Sequence, residues 1–134
     1  MFKSSSSRKA GLAAILAAGA ALVAGHADAA VIAADASVAP PIHAGSCPFM
    51  FKFTGKIVSN SPGVVKYKWI RSDGAIAPVQ TLVFRERGAR LVQDTWQIGR
   101  DYKGWEAVRI LAPNPLASNP AKFELLCRPS PLHP

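Results

Sequence analysis

Acidic residues are scarce in this chain. It has 8 Asp and Glu against 16 Lys and Arg, a formal charge of +8 over 134 residues. There are three histidines, His26, His43 and His133, and none lies between Cys47 and Arg128. That removes the usual general base and the commonest metal ligand from the central segment. There are only two cysteines, and they form neither a C-x-x-C pair nor part of a metal-ligand cluster. No nucleophile elbow, phosphate-binding loop or metal motif occurs. These absences argue against an enzyme, and no cofactor or metal is expected.

Long apolar runs are also missing, with one exception. Lys3, Arg8 and Lys9 precede an Ala- and Gly-rich stretch of about fifteen residues, Gly11 to Gly25, followed by Ala27-Asp28-Ala29. A positive start, an apolar centre and a small-x-small site form a secretory signal. The run is short of the ~20 apolar residues that span a bilayer, and no cysteine follows closely to carry a lipid. Residues 1–29 therefore read as a cleaved signal peptide, bacterial in the Ala-rich character of its centre, with no stable membrane anchor expected after cleavage. The protein is expected to be secreted or periplasmic.

Residues 30–46 hold small side chains and two prolines without periodicity, and they read as a flexible lead-in. Residues 129–134 read as a disordered tail. The folded domain is expected over 47–128, a small core that is marginal without help. Cys47 and Cys127 bracket it, and export would place them where disulfides persist. A bond between them closes nearly the whole domain, for which the chain-entropy model gives about 4.5 kcal/mol.

Inside those bounds the pattern has a period of two. Phe49, Phe51, Phe53 and Ile57 share one face, and Met50, Lys52, Thr54 and Lys56 share the other. Val65, Tyr67 and Trp69 alternate with Lys66 and Lys68, then an Asp-Gly turn follows. VQTLVF, RLVQDTWQI, WEAVRIL and AKFELLC continue the alternation, with Asp94 interrupting one apolar face as at a bulge or an edge. APNPLASNP reads as loop, and so does GRDYKG. Six short strands without helix predict an antiparallel sandwich or barrel. If they alternate in direction, the start of the first and the end of the sixth lie together, as a Cys47–Cys127 bond requires.

The segment GVVKYKWIRSDG, followed in order by TLVF, DTW, GW and SNPAKFELLC, resembles the immunoglobulin-like (Ig-like) and fibronectin type III-like domains of bacterial secreted proteins. Its Tyr-x-Trp and Asp-Gly elements also resemble PKD-type domains. The resemblance runs over about 80 residues, Cys47 to Cys127. It implies a small all-β, antiparallel Ig-like β-sandwich of six to seven strands, with Trp69 as the strand-C tryptophan. The first strand becomes B and the others C, C′ or D, E, F and G. Two features depart from the antibody pattern: Cys127 ends strand G rather than lying in F, and no tyrosine corner is present. Such modules mostly bind, which makes an unidentified protein partner at the cell envelope the leading expectation.

Three surfaces are candidates. Lys66, Lys68 and Arg109 should project from one solvent face, with Lys122 beside them and Glu124 blunting the charge. Such a face attracts anionic polymers such as lipopolysaccharide, glycan or nucleic acid, although scattered cations also make an ordinary solvated surface. Tyr102, Lys103 and Trp105 form either an exposed aromatic-basic site or, through Trp105, a cap on the core. Asp94 and Glu106 can meet in space. Glu106, at the start of its strand, is expected to reach solvent, and Asp94 to bond a turn.

Export with cleavage has a direct check. Intact-mass analysis of the secreted protein should give a chain beginning near Ala30, and a mature product beginning at Met1 would disprove it.

Overall fold

The alternation of FMFKFTGKIVS is realised as an eleven-residue strand, and its inward side chains set the core. The computed structural model describes residues 30–129, so the signal segment and most of the tail lie outside the described residues. Within them the strands are β1 (Val31–Ala39), β2 (Ile42–Gly45), β3 (Phe49–Ser59), β4 (Gly63–Arg71), β5 (Gln80–Phe84), β6 (Gly88–Ile98), β7 (Tyr102–Ala112), β8 (Leu116–Ala117) and β9 (Ala121–Cys127). One sheet has the order β1-β3-β6. The other has the order β2-β9-β7-β4-β5, with β8 alongside β7. Every pairing is antiparallel except β2 with β9.

This is an Ig-like β-sandwich. The expected strand B is β3, C is β4, E is β6, F is β7 and G is β9. The undecided third strand is C′ rather than D, because β5 pairs with β4. Cys47 and Cys127 are joined, with Cα atoms 5.6 Å apart and 80 residues of chain between them.

The core fills the space between the sheets. Phe51, Phe53 and Ile57 of β3 meet Val65, Tyr67 and Trp69 of β4, Val108 and Ile110 of β7, and Phe123 and Leu125 of β9. Phe123 is an aromatic hub, with ring centroids 4.5 Å from Phe51, 5.6 Å from Phe53 and 5.2 Å from Trp96. Gly55 also faces inward. A Cβ there would fall 2.7 Å from Val108 Cγ2, 3.0 Å from Val92 Cγ2 and 3.2 Å from Trp69 Cη2. The missing side chain is the space that those three groups occupy.

The lead-in expected over 30–46 is not a free segment. Val31–Ala39 pairs with β3, and after Pro40-Pro41 the chain crosses to the other sheet, where Ile42–Gly45 runs parallel to β9. His43 therefore lies on a strand, its ring stacked on Phe49 at 3.7 Å. A register shift between Val31 and Ala33 breaks the alternation of β1, and most of its side chains are too small to mark a face.

The loop APNPLASNP is likewise more ordered than its prolines suggest. It contains β8, and its two asparagines bind the outer edge of β1. The Asn114 amide accepts from Val31 N (2.9 Å) and donates to Val31 O (3.0 Å). Asn119 makes the same exchange with Ala36, at 2.9 and 2.8 Å. A carboxamide carries a donor and an acceptor side by side, so each asparagine stands in for one residue of a neighbouring strand. Near Asp94 no bulge forms, since β6 pairs with β3 in unbroken register and is an edge strand.

Asn119→Ala should remove both bonds to Ala36 and leave that edge to water. Each net bond contributes about 1 kcal/mol, so the expected loss is about 1–3 kcal/mol, measured by denaturant titration. Early hydrogen exchange at Ala36 should accompany it, and an unchanged midpoint and exchange pattern would refute the role.

Candidate functional site: the outer sheet face and an inter-sheet acid pair

Three strands, β4, β7 and β9, carry the candidate residues on the outer face of the larger sheet. Along β7 the inward residues are Tyr102, Gly104, Glu106, Val108 and Ile110, so Lys103, Trp105 and Arg109 point outward. Trp105 stands opposite Lys122 of β9, and Lys103 opposite Glu124. Lys103 Nζ lies 3.9 Å from Glu124 Oε2, a loose and exposed pair. Together with Pro41 and Ile42 these residues line a groove of about 480 Å³ with Trp105 in its wall. The other two tryptophans, Trp69 and Trp96, are buried.

The basic residues expected to share a face do so. Lys68 stands opposite Arg109, and Lys66 lies two residues back along β4. Lys66 Nζ donates to Thr81 Oγ1 at 2.8 Å. Lys122 continues the same face on β9. Lys66, Arg109 and Lys122 are exposed, whereas Lys68 is half-buried.

Tyr102 does not join Trp105. It faces the opposite way, with its ring centroid 5.6 Å from Trp96 and 6.1 Å from Phe123. The reason is the true start of β7. GRDYKG was expected to be loop, but the strand begins at Tyr102, and three residues of separation put Tyr102 and Trp105 on opposite faces. Tyr102 instead borders a polar recess of about 250 Å³ at the end of the sandwich. There the Arg71 guanidinium lies 3.8 Å from the Trp96 ring centroid and binds Asp73 at 2.7 Å. The Arg100 guanidinium sits 5.7 Å from the Tyr102 ring centroid.

The same extension of β7 overturns the expectation for Glu106. It is mid-strand, faces inward and is 0% exposed. Asp94 faces it from β6 in the other sheet and binds no turn. As a carboxylate, Glu106 would have a partner for neither oxygen. As a carboxylic acid, it can donate its proton to Asp94. Burial above all, then the bond to Asp94 and the charge of Asp94, push its pKa up to about 9, while Arg71 opposes the shift and Asp73 adds to it. Burial, with a further push from Asp94, also raises the Tyr67 phenol. The pair is thus a shared proton between two sheets. Glu106 is fully buried and Asp94 half-buried, so the contact ties the two sheets together. Among the described residues no cluster of three or more His, Cys, Asp or Glu is placed to hold a metal ion.

No family model matches the chain, and no curated protein matches it. Solved structures do. The CARDB domain of the PF1109 protein from Pyrococcus furiosus, solved in complex with di-metal ions, is similar with a TM-score of 0.58 at 8% identity. That match covers 75% of this chain and 94% of the other. At such low identity the likeness concerns the fold alone, and it agrees with the Ig-like sandwich described above. The Pseudomonas fluorescens alkylpurine DNA glycosylase AlkC, bound to DNA containing an abasic site analog, matches at a TM-score of 0.45 and 11% identity, over 70% of this chain and 30% of the other.

The acid pair makes stability depend on pH. In the unfolded chain Glu106 loses its proton near the ordinary value of 4.5, while in the folded chain it holds it to about 9. Between those values the native state binds the extra proton, so stability falls as pH rises across this window. Glu106→Gln keeps a donor for Asp94 and cannot ionise. It should be more stable than the parent at pH 8, on the order of a few kcal/mol, with the advantage vanishing towards pH 4. Parallel stability-versus-pH curves for the two proteins would disprove the shared proton.

Proposed function

We propose that the chain is a secreted or periplasmic, non-catalytic Ig-like binding module that engages a protein partner at the cell envelope through the outer face of its larger sheet. The observation that carries this reading is Trp105, the one tryptophan of three directed outward, set in a groove beside Lys103 and Lys122. Aromatic side chains with basic neighbours suit the centre of a protein interface, where the ring is desolvated and the cations form the rim. Export is supported by the signal-like N-terminus and by the Cys47–Cys127 bond, which persists in an oxidising compartment.

A second reading has its own observation. Lys66, Lys68, Arg109 and Lys122 share the face with a single acid, Glu124, which Lys103 already approaches. Such a face suits an anionic envelope polymer, namely lipopolysaccharide, a glycan or nucleic acid.

Salt separates the two, because attraction by exposed cations is screened and aromatic burial is not. The protein should be used as bait in periplasmic or culture-supernatant extract at low and high salt, with Trp105→Ala and Lys66→Glu/Lys68→Glu in parallel. Under the protein-partner reading one capture survives high salt and falls at least tenfold with Trp105→Ala. Under the polymer reading the double lysine variant elutes from heparin at much lower salt than the parent. Capture that ignores Trp105→Ala would remove the groove as the site.

A further inference from the structure

The sandwich treats its strand edges unequally. The β1 edge is occupied by Asn114 and Asn119. The β2 edge is four residues long. The long β6 edge carries Leu91, Gln93, Thr95 and Gln97 on its exposed face, a single large apolar side chain among polar ones. The remaining edge, β5, reads QTLVF, without charge, proline or glycine. An unblunted edge of this composition is a template for another strand.

The surroundings of β5 are distinctive. On its outer side Val83 (51% exposed) stands opposite Val64 (51%), and Val79 and Ile76 extend the apolar surface before it, Ile76 being 97% exposed. Its C-terminal end runs into Arg85, Arg87 and Arg90, all exposed and none in an ion pair with a carboxylate among the described residues, and the single acid among them, Glu86, leaves a net positive cluster. Arg90 reaches back across the edge, and its Nη1 donates to Val83 O at 2.7 Å. A strand's backbone groups alternate between its two sides, so the N–H and C=O of Val83, and those of Thr81, face the open edge.

We propose that β5 is a docking edge for an extended acidic segment of a partner protein, added as a seventh strand to the larger sheet. Main-chain bonds to Thr81 and Val83 supply the pairing, and alternate apolar side chains of the segment continue the Val64–Val83 row. Acidic residues at one end meet Arg85 and Arg87. Arg90 holds the place of the incoming strand at Val83 O. When that strand arrives, the guanidinium is displaced and turns to its carboxylates, so little hydrogen bonding is lost on exchange. Charge selects the occupant. A second copy of the mature chain, with 13 Lys and Arg against 7 Asp and Glu from Ala30 onward, is repelled, and an acidic segment is attracted. This edge is separate from the Trp105 groove, so the two surfaces stand or fall independently.

The test uses a blocked peptide of alternating valine and threonine ending in two glutamates, titrated into the full mature chain and followed by amide NMR. Shifts should centre on Thr81 and Val83, weaken steeply with salt and persist in Trp105→Ala. Arg85→Glu/Arg87→Glu, which leaves the strands intact, should weaken binding at least tenfold. Thr81→Pro, which removes an edge donor, should abolish it. A lysine-ended peptide binding equally well would overturn the charge argument. Shifts confined to β6 or to the groove, absence of binding, or self-association of the chain in place of peptide binding would overturn the proposal.

Discussion

The sandwich turns on one close approach, that of the Trp69 ring to the backbone at Gly55. Around that point Val92 and Val108 complete the contact, so four strands from both sheets meet where β3 has no side chain. Any side chain at 55 would push the sheets apart, and overpacking of this kind typically costs about 1–3 kcal/mol. With those four residues inward, the period of two fixes every other position. On β6 the phase that buries Val92, Trp96 and Ile98 also turns Asp94 inward. On β7 the phase that buries Val108 and Ile110 turns Glu106 inward. The two carboxyl groups meet because apolar packing puts them there, and a proton kept between them is the form in which a fully buried Glu106 beside the half-buried Asp94 is tolerable.

A second constraint is the management of edges. The disulfide holds the start of β3 to the end of β9 but does nothing for β1, which is poor in large apolar side chains. Its attachment rests on the ladder with β3 and on the two asparagines 83 residues away in sequence. Carboxamides satisfy the edge and also stop it from accepting another strand. Thus the same two residues stabilise the first strand and remove one route to aggregation, while β5 at the far end of the other sheet has only the long reach of Arg90 to Val83 O.

What could be read from the sequence follows from these facts. Strands β3, β4, β5, β6 and β9 were legible because large apolar residues recur at alternate positions, as in Phe51-x-Phe53 and Val65-x-Tyr67-x-Trp69. The Cys47–Cys127 bond was legible because the six longer strands between its ends, leaving aside the two-residue β8, alternate in direction. β1 was not, because alanines carry no phase, a register shift breaks the alternation and the supporting asparagines are remote. The misreading of Tyr102 and Glu106 has a single source. Asp101 and Gly104 signal a turn, yet the chain is already paired with β9 at Tyr102. Moving the start of β7 forward makes Glu106 mid-strand and sends Tyr102 and Trp105 to opposite faces. The period was right and the boundary was wrong. That Lys66, Lys68 and Arg109 share a face needed only the period and the C–F neighbourhood, so it was legible in advance, whereas the direct opposition of Lys68 and Arg109 was not.

Trp105 is the residue least explained by folding alone. Inward aromatics are matched by partners across the sheets, and Phe123 alone meets Phe51, Phe53, Trp96 and Tyr102. Trp105 lies outside that network, on the solvent side of a strand whose core positions are already filled by Val108 and Ile110. Its backbone is secured independently, with its N–H donating to Ser72 Oγ and its carbonyl accepting from Ser72 N, both at 3.0 Å. The strand would hold its place with a smaller residue there. An indole left partly in water gains little from burial at roughly 25 cal/mol per Å² until something covers it. A partner that covers the groove would release that unrealised gain, with Lys103 and Lys122 at the rim to orient its approach. That difference between an aromatic already spent on the core and one still open to solvent is the physical ground for proposing this face, rather than the buried Tyr67–Trp69 pair, as a binding surface.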